Sequence, residues 1–220
     1  MSDIALVSII TPTFPGREAE LFNRCIPSVA ALDWPNIEHV IISDPNPDLA
    51  AKLYGQPAAP GYRLRFAELN TTWRNPTTEA SIGAIPWYVG TMLGQGEFFG
   101  FLGDDDELRP DHATLHVNAM IEAEAHWSVS KIDFWVGGEP WTTIGDPSFE
   151  LGHFDATGIM CHRDALSAAN WTANGENAAD YRLVRDWRSA GLRGVFVDQV
   201  TGTHHDGWAA GKSGRPDRQT

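Results

Sequence analysis

The chain has 220 residues, a length typical of one domain, and 29 acidic against 16 basic residues give it a formal net charge of −13. This charge argues against non-specific binding to nucleic acid or to an anionic membrane, because both need a basic surface. Apolar residues make up 42% of the chain, enough for a hydrophobic core. Two cysteines cannot build a disulfide framework, and no apolar run approaches the roughly 18 residues of a membrane span. The sequence therefore predicts a cytoplasmic protein without a membrane span.

The first fifty residues have the pattern of two buried strands joined by a helix. Residues 5–11 and 37–43 are short, continuous apolar runs rich in β-branched residues, which is typical of strands buried on both faces. A helical pattern covers 18–32 between them. Pro12 is expected to end the first strand, and the Pro- and Asp-rich segment 44–48 to end the second. The β-α-β order predicts a parallel sheet with a right-handed crossover.

Strands and helices continue to alternate up to about residue 125, and shorter strands follow. The pattern predicts strands at 62–69 and 97–102 and helices at 79–93 and 111–125, with Asp111 as a helix cap. The later half is expected to hold short strands and loops over 127–160, a helix at 178–190 and a last strand at 193–200. The prediction is a single-domain α/β fold, in which helices flank a mostly parallel, Rossmann-like sheet and a smaller β-rich excursion follows.

Polar clusters follow three of the predicted strands. They are residues 11–13, 44–48 and 103–107. Ligands of open parallel sheets bind beyond the carboxyl ends of the strands, so these clusters are expected to line one crevice.

The cluster at 103–107 is the run GDDDE. Neighbouring carboxylates repel one another unless a cation lies among them. Their oxygen atoms suit Mg²⁺ or Mn²⁺, ions that keep open positions for substrate phosphates. The alternative is a solvated acidic turn.

Asp44 and Asp48 offer a second set of carboxylates. An acid at the end of the second strand can accept hydrogen bonds from a ribose or a base, although Asp is also an ordinary turn residue. No G-x-G-x-x-G motif follows the first strand, and the chain contains no G-x-x-x-x-G-K-[ST] motif. A Rossmann dinucleotide site and a P-loop are therefore disfavoured.

Two further features lie late in the chain. His204 and His205 follow the last predicted strand, and an imidazole can complete the coordination of a metal held by Asp. They could equally be a surface pair. Asp180, near a helix start, is favoured there by the helix dipole and becomes a candidate general base if it faces the crevice. Asp186 and Glu176 are competing candidates for that role.

The order of these segments resembles glycosyltransferase family 2, whose members have the GT-A fold. The segments that carry the resemblance are VSIITPTF, IISDPNPD, FFGFLGDDDELRPD, AADYRLVRDW and THHDGW. The resemblance implies a metal-dependent glycosyltransferase that uses Mn²⁺ or Mg²⁺. It would move a sugar from a nucleotide-diphosphate sugar, with a UDP-sugar favoured, to the hydroxyl of a glycan or small-molecule acceptor.

The resemblance also implies roles for individual residues. The expected nucleotide-binding residues are Thr11, Pro12, Thr13, Asp44, Arg74, Asp104 and Asp105. The expected metal ligands are Asp106 and His204, with His205 as the alternative histidine and the register within the acid run open by one residue. Asp180 would be the catalytic base, which predicts a single displacement with inversion.

The implied organisation is one domain over residues 1–206. Residues 1–110 would form the nucleotide-sugar half and residues 111–206 the acceptor and catalytic half. Residues 207–220 would be a flexible tail, or a lid that brings Lys212 and Arg215 over the diphosphate. Candidates for stacking on a sugar are Trp135, Trp141 and Trp171.

One departure from the family pattern leaves a different function class open. The family has Glu where this chain has Ala179. The alternatives are therefore a nucleotide- or glycan-binding module without turnover and a metal-dependent hydrolase of nucleotide sugars.

Overall fold

One mixed sheet with helices on both faces makes up most of the computed structural model, which describes residues 4–56, 60–72, 84–169 and 179–206. The strands formed by these residues are β1 (Val7–Thr13), β2 (Ile37–Ser43), β3 (Tyr62–Glu68), β4 (Phe98–Phe101), β5 (Glu107–Leu108), β6 (Trp127–Val136), β7 (Glu139–Ile144), β8 (Ile159–His162) and β9 (Gly194–Asp206). Their order in the sheet is β3-β2-β1-β4-β8-β6-β9-β5, and β7 pairs with the outer part of β6.

The helices lie between these strands in chain order. They are α1 (Glu18–Glu20), α2 (Ile26–Ala30), α3 (Leu49–Tyr54), α4 (Ala84–Leu93), α5 (His112–Glu122) and α6 (Ala179–Ser189). A π-helical turn (Leu21–Cys25) joins α1 to α2, and two 3₁₀ turns cover Ala156–Gly158 and Arg163–Ala168. None of the helices in the described ranges is long and apolar enough to cross a bilayer.

The predicted α/β architecture is confirmed, and the two halves of the sheet differ as expected. Strands β3, β2, β1 and β4 are all parallel. Beyond β4 the pairing changes, because β8 runs antiparallel to both β4 and β6 whereas β6 and β9 are parallel. The second half is therefore the β-rich excursion.

Alternate residues of the central strands enter two separate cores. Ile9 and Ile41 pack with the helices α2, α3 and α5, and Ile10 and Ile42 pack with α4 and α6. Both faces are buried, which explains why these strands are continuous apolar runs. Helix α4 approaches β1 so closely that a Cβ on Gly90 would lie 2.2 Å from Ile10 Cγ2, so only glycine fits there without a shift.

The prediction that Pro12 ends the first strand is wrong, because β1 continues to Thr13 and Pro12 pairs with Ile42. The carbonyl of Thr13 bonds toward β2, and that of Ile10 bonds toward β4. Pro12 therefore has its nitrogen on the β4 side, where β4 has already ended. The missing N–H leaves no ladder bond unmade on the β2 side.

The helix predicted over 18–32 is interrupted by a wider turn. The N–H of Ile26 donates to the carbonyl of Leu21, five residues back. Pro27 follows directly, and a proline ring clashes with the carbonyl four residues before it, here that of Asn23. The π-helical turn relieves this clash, and such turns occur frequently at functional sites.

The ends of two later elements also differ from the sequence prediction. The last strand, expected over 193–200, continues to Asp206, so the histidine pair lies inside β9 rather than after it. Asp111 stands at the N-cap position of α5, but its side chain makes no capping hydrogen bond. Segment α3 was not anticipated by the pattern.

Candidate active site

The polar clusters predicted to line one crevice do meet at the carboxyl edge of the sheet. Thr13 at the end of β1 donates a hydrogen bond from Oγ1 to Asp104 Oδ2 at 2.8 Å. His204 of β9 approaches Asp106 from the other side, with 3.2 Å between its Nδ1 and Asp106 Oδ2. The acid run after β4 therefore lies between β1 and β9.

Asp106 is the most firmly held member of the acid run. Its side chain is buried, and its Oδ2 accepts a hydrogen bond from Thr157 Oγ1 at 2.9 Å. Its Oδ1 accepts one from the backbone N–H of His205 at 2.9 Å. These donors fix the carboxylate before any ligand arrives.

Asp106, Asp155 and His204 form a group that fits a divalent cation. One ligand atom from each lies within 4.8 Å of the others, and this is the one such group found among the described residues. The two carboxylate oxygens suit Mn²⁺ or Mg²⁺, and the imidazole nitrogen can complete the coordination of an ion that they hold.

Asp155 was missed by sequence reasoning. Its Oδ1 accepts a hydrogen bond from Thr157 N at 2.9 Å, so locally it is an ordinary cap of a 3₁₀ turn. Only the long-range packing of this turn against β9 brings it to His204. No local spacing could have identified it.

The charge state of His204 follows from these carboxylates. Burial alone would lower its pKa, but Asp155 and Asp106 outweigh burial and raise the pKa of His204 to about 10. The protonated His204 therefore balances the charge of the carboxylates, and a bound divalent cation could take over this role. The ring of Phe134, on β6, lies against the His204 ring with 4.5 Å between centroids.

Asp104 and Asp105 turn toward the helical segment rather than toward His204. Arg17 donates from Nε and Nη2 to Asp104 Oδ1, both at 3.2 Å, and Nη2 also pairs with Asp105 Oδ2. Arg24 donates to the backbone carbonyl of Asp105 at 2.7 Å. Burial raises the pKa of Asp104 to about 6 although Arg17 opposes this shift. Sequence reasoning did not single out either arginine.

Asp180, the expected base, lies at the start of α6. Its Oδ1 accepts the N–H of Tyr181 at 2.8 Å. Burial raises the pKa of Asp180, and the negative charge of Asp155 raises it further. The Asp180 carboxyl thus shares an electrostatic environment with the Asp106–Asp155–His204 group.

The two neighbouring histidines have different surroundings. The ring of His205 faces Glu107, with 3.2 Å between Nε2 and Oε1, and packs near Trp135. Adjacent residues of a strand point to opposite faces, so this ring is turned away from the metal group. Of the two alternative histidines, His204 contributes its ring to the group. His205 contributes only its backbone N–H, which bonds to Asp106.

The remaining predicted nucleotide-binding residues lie in different surroundings, and not all of them face the crevice. Thr11 is fully buried, and its Oγ1 lies 2.9 Å from His39 Nε2 and 3.6 Å from Cys25 Sγ, so its side chain faces the core. Asp44 lies beside the end of β1, with its N–H bonded to the Thr13 carbonyl at 3.1 Å. Arg74, Trp171 and the tail with Lys212 and Arg215 lie outside the described residues.

Comparisons with known proteins bear on the fold. No protein-family model matches the chain, and no curated protein matches it by sequence. Among solved structures, S. aureus TarS 1-349 in complex with UDP-GlcNAc matches with a TM-score of 0.68 over 91% of this chain, at 16% identity. The mannosyltransferase PcManGT from Pyrobaculum calidifontis, in complex with GDP-Man and Mn²⁺, matches with a TM-score of 0.66 over 92%, at 12% identity.

These matches show that the chain has the GT-A glycosyltransferase fold. The chain spans 58% of the TarS fragment and 57% of the mannosyltransferase. At this identity the likeness establishes the fold, and the chemistry has to be argued from the site.

Proposed function

We propose that the chain is a metal-dependent glycosyltransferase that moves a sugar from a nucleotide-diphosphate sugar to an acceptor hydroxyl with inversion. The observation that carries this proposal is the Asp106–Asp155–His204 group at the carboxyl edge of a GT-A sheet, next to Asp180.

The donor is a nucleotide-diphosphate sugar, with a UDP-sugar favoured. Two of the matched structures hold UDP-GlcNAc and GDP-Man, which supports this class of donor. Asp44 and Thr13 lie side by side at the end of β1, where the nucleotide would enter. Pro12 would contribute ring surface, whereas Thr11, which is fully buried, would not contact the nucleotide.

Asp106, Asp155 and His204 would hold the cation. The chemistry supplied by a bound Mn²⁺ or Mg²⁺ is neutralisation of the charge that grows on the departing diphosphate. The protein contributes the fixed carboxylate of Asp106, whose hydrogen bonds prevent it from turning away.

Asp180 would act as the general base. Its raised pKa suits a group that must accept a proton near neutral pH. The acceptor oxygen forms a bond to the anomeric carbon as the bond to the diphosphate oxygen breaks, and Asp180 takes the hydroxyl proton. Attack from the face opposite the leaving group inverts the configuration.

Residues 1–206 would work as one domain in this reaction. Residues 1–110 would bind the donor, and residues 111–206 would supply the base and the acceptor surface. Of the tryptophans considered for that surface, Trp141 on β7 is 39% exposed.

A second candidate is a nucleotide-binding protein without transfer activity. The observation that favours it is Ala179, directly before Asp180, where the related family has a glutamate. Such a protein would bind nucleotide with metal and release no sugar to any acceptor.

A titration tests the metal-dependent nucleotide site that both candidates share, and a transfer assay then separates them. Calorimetry with UDP, GDP and dTDP, each with Mn²⁺ and with EDTA, should show one nucleotide that binds only with metal. Asp106→Asn should abolish that binding, whereas Asp198→Asn, at an exposed position 74% accessible in its side chain, should not. The matching nucleotide sugars are then assayed for transfer. Metal-dependent binding without transfer to any acceptor would favour the second candidate. Metal-independent binding, or no binding at all, would contradict the proposal.

A further inference from the structure

The acid run is divided into two parts that face different partners. Asp106 faces His204 and Asp155, with 3.2 Å between its Oδ2 and His204 Nδ1. Asp104 and Asp105 face Arg17 instead. Three consecutive carboxylates therefore point to two different sets of partners.

A single nitrogen of Arg17 bridges the two carboxylates of its set. Nη2 lies 3.2 Å from Asp104 Oδ1 and pairs with Asp105 Oδ2. The Nε atom makes a further bond to the same Asp104 oxygen at 3.2 Å. The guanidinium also lies over the ring of Phe14, 5.7 Å from its centroid. The position of Nη2 is therefore a point where two carboxylates converge on one positive charge.

The surroundings make this point attractive to any cation. The side chain of Asp104 is only 7% exposed and those of Arg17 and Asp105 are each 21% exposed. Charges in such partly buried places interact more strongly than in bulk water. Two neighbouring carboxylates without a counter-cation repel one another, and paired carboxylate oxygens are ligands that Mg²⁺ and Mn²⁺ prefer.

We propose that Arg17 is the resident counter-cation of Asp104 and Asp105, and that it limits this site to one divalent cation, held by the Asp106–Asp155–His204 group. This inference rests on the metal site of the proposed function. Arg17 is a positioning residue, because it acts by occupying the first two acids of the run. The guanidinium is suited to this role, since its planar fork reaches both carboxylates at once.

The test counts bound Mn²⁺ on the folded chain without nucleotide, by electron paramagnetic resonance of the free ion. The wild type should bind one equivalent. Arg17→Met should bind a second equivalent, and Arg17→Gln, which keeps a donor but no charge, should do the same. Arg17→Lys should bind one. Arg24→Met is the matched control and should also bind one, because among the described residues Arg24 bonds to the backbone carbonyl of Asp105 and to neither carboxylate.

A further variant identifies where the second ion sits. Asp104→Asn combined with Asp105→Asn in the Arg17→Met background should return the count to one. A second equivalent that persists in this variant would overturn the inference. If Arg17→Met alone folds poorly, Arg17→Gln carries the test, because it keeps a hydrogen-bond donor beside both acids while removing the charge.

Failure of the inference and failure of the proposed function give different results. If the wild type, Arg17→Met and Arg17→Gln all bind one equivalent with the same affinity, Arg17 does not limit the site and only the inference is overturned. If the wild type binds no Mn²⁺ with or without nucleotide, the metal site fails and the proposed function fails with it.

Discussion

The fully buried histidines of the core and the partly buried histidine of the candidate site have opposite charge states. His112 and His116 are almost fully buried, and burial lowers the pKa of His112 to about 3 and that of His116 well below its usual value. Their neighbours are hydroxyls, with Thr201 Oγ1 2.8 Å from His112 Nδ1. His204 is partly buried, with 29% of its side chain exposed, and although burial lowers its pKa, Asp155 and Asp106 raise the pKa to about 10.

The difference shows what separates an uncharged core from a site prepared for a ligand. The core histidines have neutral hydroxyl partners, and among the described residues His112 Nε2 has no hydrogen-bond partner, so no charge is stabilised there. At the carboxyl edge, acidic side chains outnumber the cations of Arg17 and His204, and the excess favours a divalent ion. If the two regions are independent, substitutions at the candidate site should change metal binding or transfer, and substitutions in the histidine core should change stability.

The largest expected effect is at Asp106. Asp106→Asn should lower the rate of sugar transfer roughly a thousandfold, because stabilisation of the leaving diphosphate by a bound cation contributes several kcal/mol. Chelation of the metal from the wild type should produce a similar loss. The unfolding transition of the variant, measured by circular dichroism, should change little. Retention of metal-dependent transfer in the variant would place the cation elsewhere.

Asp180→Asn should lower transfer roughly a hundredfold, a typical contribution of a general base. Donor binding should be unchanged, because Asp180 is proposed to contact the acceptor hydroxyl. The measurement compares single-turnover transfer with the nucleotide Kd from calorimetry. Equal losses in both would show that Asp180 belongs to the donor site instead.

The next prediction concerns the core histidines and the pH dependence of stability. Burial lowers the pKa of His39 and of His112 to about 3, whereas an unfolded histidine titrates near 6.5. The native state therefore binds fewer protons than the unfolded state between these values. The stabilisation is complete above about pH 6.5 and is lost as the pH falls toward 3, by ~1.4 kcal/mol per pH unit for each histidine.

Urea unfolding at several pH values between 7 and 4 measures this slope. His39→Gln should make it shallower by about one proton, because one titrating group is removed. Gln56→Ala, at an exposed position without a titratable side chain, provides the control and should leave the slope unchanged. An unaltered slope in His39→Gln would show that His39 is not kept neutral by the fold.

Most of the fold could be predicted from the sequence because its central strands are continuous apolar runs separated by Pro- and Asp-rich segments. The extent of β1 could not, because Pro12 is tolerated only where β4 has already ended. Thr11 is a different case. The two-residue period of a strand already places Thr11 on the same face as Ile9, so its burial could have been inferred.

The candidate site could be predicted in part for a similar reason. Topology brings the acid run and the histidine pair to one edge, which the order of the strands already indicated. The choice of Asp106 and His204 within them came from the resemblance to the glycosyltransferase family. Asp155 and Arg17 could not be found this way, because each has an ordinary local role, one as a turn cap and one near a helix start. Their partners are distant in sequence, and only packing determines which carboxylate meets which cation.

The smallest expected effects come from a matched pair of threonines, one in each region. Thr157 Oγ1 donates to Asp106 Oδ2 at 2.9 Å, so Thr157→Val should weaken Mn²⁺ binding about fivefold, the equivalent of ~1 kcal/mol for one hydrogen bond. Thr201 Oγ1 contacts His112 Nδ1 at 2.8 Å and Ser130 Oγ at 2.6 Å. Thr201→Val should instead lower the free energy of unfolding by ~2 kcal/mol, because these two buried groups and His116 Nε2, which lies 3.4 Å from Thr201 Oγ1, lose a partner.

Both variants are measured by Mn²⁺ titration and by urea unfolding of the metal-free chain. Thr157→Val is expected to weaken Mn²⁺ binding and to leave the free energy of unfolding almost unchanged, since Asp106 keeps its bonds to His204 and to the His205 backbone. Thr201→Val is expected to lower the free energy of unfolding and to leave Mn²⁺ binding almost unchanged. If Thr201→Val weakened Mn²⁺ binding as much as Thr157→Val, the core network and the candidate site would be coupled. The charge state of His204 would then depend on the core as well as on its own carboxylate neighbours.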